Sequence, residues 1–474
     1  MRPLLVLYLL FLCLIFLFYT ASHTLYEAGY VHLNVLFYAE KVLLAKEGEP
    51  PRLENIGLVY PPLAFLPFWF VSDYLMASPF ASAITLTLFF SFLLKRCLSP
   101  VYFIVVSLLL NPLTIFLAVY RFEVLSFYIL LTLSVMFLIL HMEMGYSIYL
   151  FVGGFLLGLC FFFDFRSVFL IPLFVLFIFF TTKQAGRDYT LALTMVKLTP
   201  IVFFVFIWLY LNWVFTGDPL TFIKSPYSFF KGRALGTDVL VAKGSILGSL
   251  KYSALQLFYL LPLILPYVVV LFKLKKYRVL YLFPLYLLYL SPITLMLFSI
   301  YFSYFFPSYY YSVLFLAFAV TFASSLNIRG SKALAVAFIV SFLASWVLPL
   351  YSKEENEKNF VKFLLTGRVK ENIGEYIKVA KVLKDQGCEK TLLDDKTDFP
   401  VVVFSQNPKK FYLPYMYEYY SALSTPIAFA DCILVNKNSQ NIILDRFPTS
   451  KMGFLKGYML VYSDETYNVF KRVR

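Results

Sequence analysis

The chain reads as a polytopic α-helical membrane protein, with about 11 transmembrane helices, amphipathic helices in the first outer loop, and a small C-terminal extracytoplasmic α/β domain. Three observations predict this class. Of 474 residues, 61% are hydrophobic and only 14% charged, against roughly 25% charged in soluble domains. Aromatic residues reach 20%, with 55 Phe and 37 Tyr, more apolar surface than a soluble core buries. Finally, many Lys and Arg sit in short loops between apolar runs, the placement of topogenic charge. That placement also argues against nucleic acid as the partner implied by the net charge of +14.

Apolar runs of spanning length fall at about 3–21, 79–97, 101–120, 124–141, 147–163, 166–182, 192–213, 252–272, 279–299, 306–326 and 332–351. The first, "LLVLYLLFLCLIFLFYTA", lacks a small-residue cleavage site and reads as a retained helix. Arg2, Lys95/Arg96, Lys183/Arg187, Lys273/Lys275/Lys276/Arg278 and Arg329/Lys332 occupy alternate loops. They assign those loops and the N-terminus to the cytoplasm, which makes 22–60, about 120–124, 163–167, 214–251 and 299–306 outer loops. The chain therefore divides into a transmembrane part, 1–352, and an outer domain, 353–474. That outer domain begins at "SKEENEKNF", with helical periodicity at 371–385 and strand-like runs "KTLLDD", "FPVVVFS", "ADCILVNK", "GYMLVYS" and "NVFKRV". Cys13, Cys97 and Cys160 lie in apolar runs, while Cys388 and Cys432 could pair if the tail is outside.

The first outer loop is too long for a connector. Its first half, "HTLYEAGYVHLNVLFYAEKVLLAKEG", patterns as an amphipathic helix on the outer membrane surface, with Glu27 at its start and Glu40 further along. A carboxylate beside an apolar wall is a general-base candidate, because desolvation raises its pKa; Glu27 also reads as a solvated helix-face acid. Next comes "PPRLENIGLVYPPL", where Pro61 and Pro62 interrupt helix and turn the chain toward the membrane. "VYRFEVL" puts Arg121 and Glu123 in the second outer loop, and "FDFRS" puts Asp164 and Arg166 at the third. Ionisable residues in apolar surroundings pair or line a polar cavity. They read either as ion pairs bracing helix ends or as arginines placed to take phosphate beside carboxylates. The loop "NWVFTGDPLTFIKSPYSFFKGRALG" adds Asp218, Lys224, Lys231 and Arg233, which suit an anionic lipid headgroup or simple interfacial anchoring. No Walker A, GxGxxG, HExxH or GxSxG motif occurs, and with three histidines a His-based metal site is not expected. "LDDKTD" reads as a strand cap and turn.

In this order, the first outer loop, the proline corner Tyr60, Pro61, Pro62 and Leu63, and the outer carboxylates resemble the glycosyltransferase-C superfold. "NWVFTGDPLTF", Asn212 to Phe222, is similar to a segment of the protein-mannosyltransferase-like group of those enzymes. The resemblance covers about residues 1–350. It implies an integral membrane glycosyltransferase that transfers a sugar from a polyprenyl-phosphate donor to an acceptor hydroxyl on the extracytoplasmic face, with inversion. The family's Asp after the first span is absent: 22–60 holds Glu27, Glu40, Glu47, Glu49 and Glu54 but no Asp. By position Glu27 matches the base best and Glu54 is the runner-up, while Glu123 matches the second acidic position. Arg121, Arg166, Lys224 and Arg233 would meet the donor phosphate, and Tyr60, Pro61, Pro62, Asp164 and Asp218 would line the substrate groove. The scheme needs no metal or other cofactor. Expected partners are the bilayer, the polyprenyl-phosphate-linked sugar and a glycan, lipid or protein acceptor. A lipid-linked glycan ligase or polymerase is the neighbouring alternative. A non-enzymatic lipid or polysaccharide transporter fits less well, because the charges gather at outer boundaries and no repeat shows.

Overall fold

The computed structural model describes residues 2–94, 107–182, 186–225, 242–274, 279–302, 305, 307–326, 332–414, 416–439 and 441–473. Lys95, Arg96, Cys97, Lys183, Lys231, Arg233, Lys275, Lys276, Arg278 and Arg329 lie outside these residues. Six helices are long and apolar enough to cross a membrane: Leu4–Glu27, Tyr74–Leu93, Phe122–Met144, Phe165–Thr182, Arg187–Thr216 and Lys332–Tyr351. The count is eight if each of two bent pairs is one span. The protein is thus built as an integral membrane protein, and its eleven apolar runs correspond to six to eight candidate spans among the described residues.

Part of the run expected at 101–120, residues 101–106, lies outside the described residues, and part of the difference from eleven is local. The run expected at 252–272 is two helices, Ile246–Leu260 and Leu265–Lys273, set at 107° to each other. Pro262 lies in the turn and Pro266 in the first turn of the second helix, where its missing N–H costs nothing. Similarly the 279–299 run breaks before Ser291–Tyr301, which carries Pro292 in its first turn, and the flanking helices meet at 46°. Ser147–Phe163 and Tyr309–Ser325 are apolar but shorter than a full span.

The fold divides into two compact units, and one of them comprises Met1–Ala21, Leu58–Pro67 and Ser78–Arg368. Its axis is the Phe122–Met144 helix, 94% buried over its apolar stretch. Ser147–Phe163 and Ser312–Ser325 pack on that axis, and Arg187–Thr216 packs on Ser147–Phe163. Gly154 permits this last contact, since a Cβ there would stand 2.1 Å from the Lys197 carbonyl oxygen. By contrast the Leu4–Glu27 stretch is only 11% buried, presenting Leu4 and Phe16 outward as lipid-facing helices do.

The other unit comprises Ser22–Gly57, Phe68–Ala77 and Val369–Arg474. This compact unit takes in 369–474 of the tail together with most of the first outer loop. Five strands order as β2-β1-β3-β5-β4, with β1 Thr391–Leu392, β2 Phe411–Tyr412, β3 Cys432–Asn436, β4 Tyr458–Ser463 and β5 Tyr467–Arg472. β1 runs parallel to β2 and β3, while β5 pairs antiparallel with β3 and β4. All five β3 residues are buried, as a strand covered on both faces requires. Helix Gly374–Asp385 forms close to its expected place. "FPVVVFS", expected as a strand, is instead part of helix Asp395–Ser405. Asp394 caps it by accepting from the Lys396 N–H at 3.1 Å, and burial of Val401 and Val402 overrides their β preference. The acids of "LDDKTD", expected as a strand cap and turn, instead cap a helix and reach distant segments: Asp394 also accepts from the Ile442 N–H, and buried Asp398 accepts from Asn436 and Tyr467. Cys388 and Cys432, open in the sequence, form a disulfide.

The first outer loop departs from a single surface helix. The first helix runs on through Glu27, the chain turns at Gly29, and a second helix spans Leu33–Glu47. Gly29 has φ +79°, and a Cβ there would sit 2.8 Å from the Glu371 side chain, so only glycine serves. The apolar face of Leu33–Glu47 is covered by protein: the helix packs on Asp395–Ser405, and Leu44 joins the same hydrophobic core as Val379, Val402, Ile433 and Phe470.

Candidate functional site

The membrane unit holds two breaks of the same kind. Helix Pro112–Tyr120 ends at Arg121, whose backbone (φ −135°, ψ 47°) leaves helix for one residue before Phe122–Met144 begins. Helix Ser147–Phe163 ends at Asp164, also extended for one residue before the 3-10 turn Phe165–Leu170. Each break places a carboxylate and a guanidinium two residues apart. Arg121 Nε donates to Glu123 Oε1 at 2.6 Å. Arg166 donates through Nε to both Asp164 oxygens, at 3.0 and 2.9 Å, and through Nη2 to Oδ2 at 2.5 Å. Glu123 stands in the first turn of its helix, where the peptide dipoles favour negative charge, while Asp164 caps the 3-10 turn by accepting from the Arg166 N–H.

The pairs are not equivalent. Asp164 and Arg166 are both buried and use each other fully, with Arg166 Nη1 also donating to the Tyr311 hydroxyl at 3.1 Å. Glu123 is buried at 5% exposure, yet its Oε2 has no hydrogen-bond partner, while the Arg121 side chain is 26% exposed. One pair is closed on itself; the other keeps a carboxylate oxygen unused beside a partly accessible cation.

Two consecutive tyrosines bring the pairs together. The Arg121 guanidinium lies 6.0 Å from the centre of the Tyr310 ring, and the Tyr310 and Tyr311 rings stack at 5.0 Å. Phe116 and Tyr120 pack edge-on against Phe360, one turn from Glu357 on helix Glu355–Thr366. Glu357 is fully buried and accepts from the Tyr309 N–H at 3.3 Å, the Tyr310 N–H at 3.0 Å and the Ser352 hydroxyl at 2.5 Å. Burial pushes its carboxyl up to about 7, against the pull of those three donors. Tyr128, whose ring lies 6.4 Å from that of Tyr311, keeps a buried hydroxyl with no hydrogen-bond partner.

Of the other expected site residues, the Tyr60–Pro61–Pro62 corner belongs to this same unit. Its short turn Pro62–Ala64 packs on helices Phe122–Met144 and Ser147–Phe163, which carry Glu123 and lead into Asp164. Asp218 and Lys224 pair at 2.6 Å on an exposed turn, where the Lys224 ammonium holds the Asp218 carboxyl below its ordinary range. The same turn carries Phe222, which packs on Phe165 and Trp208. Glu27 and Glu54 fall in the other unit. Glu27 ends the first helix rather than starting the second, with its side chain 65% exposed and 3.4 Å from His23. Glu54 sits half-buried in the turn Leu53–Ile56.

Sequence reasoning passed over Glu357 and the tyrosine ladder, although "PSYYYS" is a visible polar aromatic run. It also passed over Lys197, which is fully buried within the spanning helix Arg187–Thr216. Its ammonium donates to Ser134 Oγ at 3.2 Å and lies 5.0 Å from the Phe174 ring centre, and Ser134 donates onward to the Gly153 carbonyl. Among the described residues no group of three or more His, Cys, Asp or Glu is arranged to hold a metal ion. Comparison with known protein families, curated proteins and solved structures finds no match to this chain.

Proposed function

We propose that the protein is a membrane glycosyltransferase that moves a sugar from a polyprenyl-phosphate donor to an acceptor hydroxyl, with inversion, on the extracytoplasmic face. The observation that carries this reading is the open pair: a buried carboxylate oxygen of Glu123 without a partner, beside the Arg121 guanidinium. In the proposed reaction the acceptor oxygen attacks the anomeric carbon and the bond from that carbon to the phosphate oxygen breaks. The acceptor proton passes to Glu123, and Arg121 balances the charge of the departing polyprenyl phosphate. Both groups come from rigid helix ends rather than loops, which suits positioning chemistry. The base assigned by resemblance to Glu27 moves to Glu123, because the Glu27 side chain is 65% exposed at the end of the first helix and pairs with His23, whereas Glu123 is buried beside Arg121. Asp164 and Arg166 become the brace of the site. The Cys388–Cys432 disulfide supports an oxidising, outer compartment for the tail.

Turnover by the full chain in lipid nanodiscs, with radiolabelled polyprenyl-phosphate sugars, tests this. Glu123→Gln should lower transfer by about 10²- to 10⁴-fold, as loss of a general base does, at a stability cost of no more than about 1 kcal/mol. Wild-type transfer by that variant sinks the base assignment, and a wild-type chain that consumes no such donor sinks the reading.

One observation favours a second reading, a transporter of a lipid-linked anionic substrate. Lys197 is an ionisable group inside a span, and two candidate spans are bent, both habits of transport proteins. On that reading Lys197→Met abolishes substrate movement across proteoliposomes, whereas Glu123→Gln does not.

A further inference from the structure

We propose that a cleft of about 270 Å³ on helix Ile246–Leu260 is a saccharide-binding site. The helix contributes Tyr252, Gln256 and Tyr259, spaced four and three residues apart and so on one face. The facing walls contribute Ser308 and Tyr309 from one segment and Tyr351 from another. These two segments are fastened together by Glu357, which binds the Tyr309 N–H and the Ser352 hydroxyl. The cleft is therefore a built feature, and Tyr309 in its wall is followed in the chain by Tyr310 and Tyr311 of the candidate site.

Its chemistry is mixed in a particular way. Four tyrosine rings supply flat apolar faces whose hydroxyls accept and donate. Gln256 is only 8% exposed, and Ser308, at 5%, keeps a hydroxyl with no hydrogen-bond partner. A lipid tail would leave that amide and hydroxyl without partners in an apolar surround, which is costly. A sugar ring offers a C–H face to stack on tyrosine and hydroxyls to answer Gln256 and Ser308. The volume lies near the lower end of ligand clefts, roughly 300 Å³, which suits a terminal sugar rather than a long glycan. Its assignment as the acceptor's place rests on the transferase reading, but binding itself can be measured without turnover.

The test is saturation-transfer difference NMR on the full chain in lipid nanodiscs, with the methyl glycosides of glucose, mannose, galactose and N-acetylglucosamine. At least one should receive saturation from the protein, with affinity about tenfold weaker in Gln256→Leu and in Tyr259→Ala, the loss of one good contact. Tyr259 is 55% exposed, so its truncation leaves the core untouched. No saturation of any of the four glycosides, or saturation that survives both substitutions, overturns the proposal. So does displacement of the signal by decyl phosphate at lower concentration than by free sugar, which would give the cleft to a lipid headgroup. Saccharide binding without donor turnover keeps this site and removes the transferase reading, and turnover without saccharide binding does the reverse.

Discussion

Arg121–Glu123 and Asp164–Arg166 are near mirror images in sequence, Arg-Phe-Glu against Asp-Phe-Arg, each at a one-residue break between helices of the same unit. They differ in the order of charge along the chain. In Asp-Phe-Arg the acid caps the turn that the arginine belongs to, accepting from the Arg166 N–H at 2.9 Å, so the guanidinium folds back and occupies both carboxylate oxygens. In Arg-Phe-Glu the arginine is the break itself and the acid lies inside the next helix, so only Nε reaches one oxygen. Reversing three residues therefore turns a self-satisfied brace into a pair with spare capacity. The lesson is that a buried ion pair is judged by the valence it leaves over, not by its presence.

The largest expected effect breaks the closed pair. Arg166→Ala leaves the Asp164 carboxylate buried without its guanidinium, and removal of one partner of a buried pair costs roughly 3–5 kcal/mol. Glu123→Gln should cost no more than about 1 kcal/mol, since the amide still accepts from Arg121 and water reaches that arginine. Chemical denaturation in nanodiscs with tryptophan emission measures both; equal costs would mean the pairs do not differ as described.

A third cluster extends the comparison to the other unit. Lys41 lies 2.7 Å from Asp395 and 3.2 Å from fully buried Glu40, whose two oxygens lack hydrogen-bond geometry to any partner. The nearer Asp395 takes the lysine, and burial pushes Glu40 up to about 8, with Lys41 pulling the other way. A carboxyl whose pKa is raised on folding contributes its stability below the unfolded value, near 4.5, and loses it as pH climbs through the folded one. Between pH 6 and 8 stability should fall by roughly 1 kcal/mol per pH unit. Asp398, raised by burial to about 6, and Glu357, raised to about 7, lose stability with the same sign in this window, so that figure is the share of Glu40 alone. Glu40→Gln should make the slope shallower by that share, most clearly toward pH 8, as read by melting temperature across that range. A slope identical to that of the wild type assigns it elsewhere and ends the parallel with a buried acid whose cation is shared.

What the sequence made legible follows the length scale of each signal. Charges two residues apart in apolar surroundings announced both pairs, and topogenic spacing and hydropathy announced a membrane protein with a small mixed tail. Which carboxylate keeps a free oxygen was not legible, because it depends on one residue's dihedral angles at Arg121. Lys197 was hidden by averaging, since a single lysine barely lowers the hydropathy of a long run. The bends within two runs were not legible because hydropathy ignores direction, although Pro262, Pro266 and Pro292 were there to be read. Glu27 drew attention by position, which says nothing of exposure. The covering of Leu33–Glu47 by residues more than three hundred positions later is a long-range fact that no local pattern holds.

The smallest expected effect on transfer asks whether the two pairs are joined. Tyr311→Phe removes the hydroxyl that accepts from Arg166 Nη1 but leaves the ring available to stack on Tyr310. Losing one hydrogen bond to a buried charged donor should cost about 1–2 kcal/mol. If the brace only holds the site together, transfer should stay within a few-fold of wild type. Combined with Glu123→Gln, its stability cost should then add to within about 0.5 kcal/mol, as for sites without shared partners. A larger coupling would mean that the stacked tyrosines carry strain from the closed pair to the open one. Loss of transfer as steep as that of Glu123→Gln would go further, because the closed pair would then belong to the reacting centre and the distinction between brace and base would fail.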